Sequence, residues 1–166
     1  MTKVFKNVPF SEIEIGQSAS IKKTIHQEDI ESFAGVSGDI NPAHLDQDYA
    51  DHSMFHGVIA HGMYSGALIS AVLGTKLPGP GTIYLNQFLH FKAPVRVDDT
   101  ITAHVRVIEK LDEKKLVKLE CKVINQDKKI VVEGVADVIA PTEKIVTQKP
   151  QKPRVIIADK NYLEVD

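Results

Sequence analysis

Tryptophan, a second cysteine, a marked excess of either charge and an uninterrupted long apolar run are all missing from this chain of 166 residues. A single cysteine, Cys121, allows no intrachain disulfide and cannot alone build a thiolate metal site. A reducing, cytoplasm-like compartment is the expectation. Twenty basic residues against twenty-two acidic ones leave a formal charge of −2, so no domain-wide basic footprint for nucleic acid exists. The positive charge near Met1 has no apolar stretch behind it, and no secretory signal is expected. The longest mostly apolar stretch, Val58 to Leu73, is interrupted by His61, Ser65 and Ser70. It reads as a buried helix, and no membrane partner is expected. What remains, 43% hydrophobic and 25% charged, suits one soluble domain with a sizeable core.

Ser18 to Ile25 alternates loosely, as a first strand would. Gln27 to Ala34 reads as a short helix with Glu28 and Asp29 in its first turn, where the helix dipole favours anions. Gly35 is the expected stop. Val36 to Pro42 reads as a loop, and Gln47 to Asp51 as a second helical piece. His61 to Leu73 predicts a helix with no polar face, hence one enclosed by protein all round. After Pro78-Gly79-Pro80-Gly81 the period changes to two. Ile83–Phe91, Thr100–Ile108, Leu116–Ile124 and Ile130–Ile139 read as strands, the last three joined by polar turns into an antiparallel meander. An α+β domain follows, with about five antiparallel strands wrapped around one long apolar helix. It is placed at residues 1–140. Residues 141–166 lose periodicity and read as a tail, with Val155 to Ile157 as its only apolar stretch.

The densest polar cluster runs from Phe33 to His44. Asp39 and His44 are five apart across a turn, and a carboxylate and an imidazole on one water can take one proton and deliver another. On spacing alone two readings stand. Either this is acid–base chemistry, or Asp39 and Asn41 cap a turn beside an ordinary loop histidine. A metal reading of His52, His56 and His61 is disfavoured by Gly57, which breaks any regular helix between them. No metal and no separate cofactor are expected.

Phe33 through His44, with Ala50 after it, resembles the hydratase motif of the MaoC-like (R)-specific enoyl-CoA hydratases. Ile59-Ala60-His61-Gly62-Met63 is similar to the start of that family's central helix, and Leu77 to Leu85 to the loop and strand behind it. Phe91-Lys92-Ala93-Pro94-Val95 with Asp98-Asp99-Thr100 continues the likeness, which covers roughly Phe10 to Ile139. The resemblance implies a hot-dog fold, a homodimer with sheets joined edge to edge, and a coenzyme A thioester substrate. It implies Asp39 and His44 as catalytic residues and Asn41 as an orienting one. It also implies Gly62 as a backbone N–H donor to the thioester oxygen, and Ser70 near the catalytic pair. His61 is expected to hold the loop before the central helix. The activity implied is reversible addition of water to a trans-2-enoyl-CoA, giving the (R)-3-hydroxyacyl-CoA. Two alternatives are a hot-dog acyl-CoA thioesterase and a non-catalytic acyl-CoA-binding module. The intact Asp39 and His44 weigh against both.

Overall fold

Alternating apolar residues become sheet wherever one face has a core to meet. In the computed structural model, which describes residues 4–156, seven strands and four helices follow in order. They are β1 (Val4–Lys6), β2 (Ser18–Thr24), α1 (Gln27–Ser37), α2 (Pro42–Leu45), α3 (Gln47–His52) and α4 (Gly62–Thr75), then β3 (Ile83–Phe91), β4 (Thr100–Leu111), β5 (Leu116–Ile124), β6 (Ile130–Ile139) and β7 (Val146–Gln148). Five strands form one antiparallel sheet in the order β2-β4-β5-β6-β3. Ile101, Ala103, Val105 and Val107 on β4 and Val117, Leu119, Cys121 and Val123 on β5 are all buried. They meet Ile69, Val72 and Leu73 of α4, which packs on β2, β4 and β5. The sheet thus wraps the helix, as a hot-dog fold requires. Gly134 on β6 is needed for the closure: a Cβ there would lie 1.9 Å from the Phe88 carbonyl oxygen on β3.

Four sequence expectations change. Helix α1 passes through Gly35 and stops at Gly38, whose φ of 76° and N–H bond to the Ala34 carbonyl (2.8 Å) form the left-handed cap. β4 runs three residues further than the alternation suggested, because a bulge between Val107 and Glu109 shifts the pattern rather than ending it. Helix α4 is enclosed on one side only. Ser65, Gly66, Ile69, Val72 and Leu73 are buried, but Met63, Ala67, Ser70 and Gly74 face outward beside edge strand β3.

The fourth change concerns the tail. Beyond Ala140 the chain stays on the body: β7 pairs with β1, and residues 152–155 line a pocket together with α1. Asn7, 1% exposed, bridges the two ends. Its Nδ2 donates to the Glu143 carbonyl and its Oδ1 accepts from the Ile145 N–H, both at 2.8 Å. Val155 and Ile156 are exposed and belong to no strand, and Ile157 lies outside the described residues. Among the described residues no helix is long and apolar enough to cross a membrane.

Candidate active site

Asp39 lies just past the Gly38 turn, and Asn41-Pro42 starts the next helix. The Asp39 N–H donates to Ser37 Oγ, and the Asn41 N–H donates to Asp39 Oδ1, each at 3.2 Å. Asn41 Oδ1 accepts from the Ala43 N–H at 3.0 Å, capping α2, and Pro42 fits the first helical position, where its missing N–H is not needed. His44 is therefore not a loop residue, as the sequence reading had it. It is the third residue of a capped single turn and only 9% exposed. Asn-Pro was the local signal for that turn. Asn41 thus fixes the start of the turn that carries His44.

The turn brings Asp39 Oδ2 to 4.0 Å from His44 Nε2. His44 Nδ1 lies 2.8 Å from the Ile59 carbonyl oxygen. A carbonyl only accepts, so Nδ1 carries a proton and Nε2 is the ring atom that faces Asp39. The 4.0 Å gap is too long for a direct hydrogen bond and fits one water donating to both atoms. The Asp39 side chain is 53% exposed and that of His44 11%, so the pair spans the boundary between solvent and cavity.

The cavity is about 380 Å³ and is lined by His44, Met54, Phe55, Gly62, Ser65 and Phe91 among others. Gly62 is the first residue of the 14-residue α4, and no side chain caps that end. Among the described residues nothing accepts from the Gly62 N–H. A free N–H at the positive end of a helix dipole attracts a developing anion. A Cβ at this position would meet Phe91 Cε1 at 2.8 Å, so the close approach depends on glycine. Ser70 does not line this cavity. It lines a separate groove of about 460 Å³ between α4 and β3, with Phe33, Met63, Tyr84 and Leu85.

His61, weighed above only as a loop brace or a metal ligand, lies inside the site. It is 3% exposed, its Nε2 is 2.8 Å from the Asp39 carbonyl oxygen, and its ring stacks on His44 with centroids 3.8 Å apart. No sequence spacing connects it to Asp39, twenty-two positions away. The three histidines considered for a metal do not assemble, and His52 instead contacts the Asp48 carbonyl. Asp39, His44 and His61 do place one donor atom each within 4.8 Å of the others. The two rings are only 30° from parallel, however. Metal–nitrogen bonds lie in the ring plane at about 2.0–2.1 Å, and stacked rings do not aim both lone pairs at one ion.

Burial raises the Tyr64 phenol to about 12, helped by the Asp29 carboxylate, so it stays neutral beside Phe33. Burial raises the Cys121 thiol to about 11, which makes it a core residue and not a nucleophile.

Comparison with known proteins places the chain as a whole. A family model described as a MaoC like domain matches residues 10–129. An (R)-specific enoyl-CoA hydratase of Rhodospirillum rubrum is 54% identical over 134 residues, covering 80% of this chain and 91% of the relative. One of Aeromonas caviae is 40% identical, covering 78% and 96%. The solved structure of an R-hydratase of Pseudomonas aeruginosa superposes with a TM-score of 0.89 at 46% identity, covering 93% of this chain and 99% of that one.

Proposed function

We propose that this chain, which belongs to the MaoC-like domain family, is an (R)-specific enoyl-CoA hydratase, adding water reversibly to a trans-2-enoyl-CoA. One observation carries the reading. The Asp39 carboxylate stands 4.0 Å from Nε2 of His44, and His44 lines a cavity that the unpaired helix N-terminal residue Gly62 also lines. A water donating one hydrogen to Asp39 and one to His44 keeps an oxygen lone pair for Cβ of the enoyl group. As the C–O bond forms, the π electrons move toward the thioester carbonyl, and charge gathers on its oxygen. The Gly62 N–H stabilises that charge. The pair takes one proton from the water and delivers one to Cα, so the product gains exactly H and OH across the double bond. A thioesterase would direct the water to the carbonyl carbon instead. The close (R)-hydratase relatives support the hydration reading and its stereochemistry.

The substrate carries coenzyme A, and the chemistry uses neither metal nor separate cofactor. A free, buried Cys121 suits a reducing cytoplasm. The working unit is a homodimer. Among the described residues edge strand β3 pairs with β6 alone; on it Ile83 is 56% and Leu85 52% exposed, and beside it Met63 is 57% exposed. A second copy laying its β3 along this edge satisfies the free backbone groups and covers those side chains.

The test uses crotonyl-CoA and follows loss of enoyl-thioester absorbance against release of free thiol, with the product's configuration determined. Asp39→Asn and His44→Gln are each expected to lower kcat by roughly 10²–10⁴. The double variant should lose far less than the product of the two, because the residues act as one unit. Either single variant retaining most of its activity would sink the shared-water mechanism. Release of thiol without loss of the double bond would replace hydration by hydrolysis.

A further inference from the structure

The loop that carries Asp39 is short of anchors. The Asp39 N–H to Ser37, Asn41 N–H to Asp39 and Ile40 N–H to Gly38 bonds all join residues two apart. They shape the turn without fixing it to anything else. The bond between His61 Nε2 and the Asp39 carbonyl oxygen, at 2.8 Å, is of another kind: it ties the turn to the start of α4. Because that carbonyl only accepts, Nε2 holds the proton. Nδ1 is buried without a partner among the described residues. His61 is held with its ring 3.8 Å from His44 and 5.0 Å from Phe33.

The same short segment holds the other partner. The Ile59 carbonyl fixes His44 Nδ1 at 2.8 Å, and Gly62 follows His61 directly. The segment is itself fastened to the body, with Ala60 N–H donating to the Val95 carbonyl at 2.8 Å and Ile59 bridging Arg96. Residues 59–62 thus touch the carboxylate's loop and the imidazole, and they supply the oxyanion donor. Both sides of the 4.0 Å gap are set from one piece of backbone.

We propose that His61 is a positioning residue, which fixes the Asp39–His44 separation by holding the Asp39 carbonyl and stacking on the His44 ring. The proposal rests on the hydratase reading of that pair. A displacement near 1 Å can cost a hundredfold in rate even when the residue moved touches no substrate. His61→Phe keeps a ring and loses the donor. Its kcat on crotonyl-CoA is expected to fall about 10–100-fold with KM within about twofold. His61→Gln restores a donor toward the carbonyl and is expected to stay within about tenfold of wild type. In an Asp39→Asn background, His61→Phe should add less than about threefold, because the partner it positions is already gone.

A readout without substrate completes the test. The imidazole 15N signals of His44 report its tautomer and contacts. They are expected to change in His61→Phe and to hold in His61→Gln. Wild-type-like kcat in the Phe variant overturns the proposal, as does a loss that persists in full in the Asp39→Asn background. If the Phe variant does not fold, the Gln variant decides: a loss beyond about a hundredfold with unchanged His44 signals overturns the proposal, and retained activity supports it. A wild-type protein that hydrates no enoyl-CoA refutes the hydratase reading. The His44 signals then still decide whether His61 positions the ring.

Discussion

A single missing Cβ connects two jobs at Gly62. It leaves the first N–H of α4 open to the cavity, and it leaves room for the Phe91 ring, which an added Cβ would meet at 2.8 Å. Gly62→Ala is therefore expected to lower activity by displacing Phe91 into the cavity, not by removing the donor. The companion change Phe91→Leu, which clears the space, should recover most of the loss in the double variant. Recovery separates steric blockage from loss of the N–H, since removal of one oxyanion donor typically costs about 2.7–4 kcal/mol and would not be repaired by trimming a neighbour. A double variant as slow as Gly62→Ala alone would show that the donor itself has moved. Asp39, Asn41, His44 and Gly62 could be singled out in the sequence because each lies in an ordered run of motif residues. His61 sits in such a run too, but its role depends on a stack and a carbonyl bond between α4 and a distant turn. No pattern along the chain encodes that contact.

At the scale of elements, the sequence reading worked where one period governed a whole segment and failed where packing overrode it. Strands β3, β5 and β6 have the ends their alternation predicted. Helix α1 did not stop at Gly35, because glycine ends a helix only where a left-handed turn is needed, and Gly38 meets that need. Its start was legible in Asp29. The carboxylate accepts the His26 N–H at 2.9 Å and meets Lys23 Nζ at 2.7 Å. Burial pushes the Asp29 carboxyl up, but the Lys23 ammonium and the His26 N–H outweigh it and leave it below its ordinary 3.8. A carboxyl depressed in the folded state adds stability above its unfolded value and loses it as pH falls through the folded one. Asp29→Asn should therefore lower Tm by a few degrees at pH 7, on the order of 0.5–1 kcal/mol for a charge at a helix start. The gap to wild type should hold down to about pH 5 and close below about pH 4. A gap that widened in acid would contradict the ion pair as its source. Helix α4 shows the limit of hydrophobicity as a guide. Its lack of a polar face foretold enclosure on all sides, and one chain supplies only half of it.

The whole molecule is closed by its two ends, which no periodicity announced. β1 and β7 have three residues each, too few for alternation to show, and they find each other across nearly the full chain. Asn7 makes the join costly to undo. Its side chain is buried, and both its amide atoms are spent on backbone groups of residues 143 and 145. The Pro141 carbonyl accepts the Phe10 N–H at 2.8 Å as well. Ending the chain after Ala140 strips hydrogen-bond partners from the Asn7 amide and from the Phe10 N–H. An unsatisfied buried polar group costs about 1–3 kcal/mol, which in a chain of this size corresponds to several degrees of Tm. We accordingly place the end of the folded unit after Gln148 and not at Ala140. A chain ending after Ala140 is expected to melt clearly lower than the full chain, and a chain ending after Lys149 to melt with it. Crotonyl-CoA hydration should be retained by the chain ending after Lys149, since none of Asp39, His44, His61 and Gly62 bonds to residues 141–156. Asn7→Ala in the full chain supplies the control. It removes the same bonds from the other side, and should reproduce much of the thermal loss of the Ala140 truncation while leaving the active-site geometry alone. Equal melting of all four proteins would mean that the β1–β7 join contributes nothing to the stability of the domain.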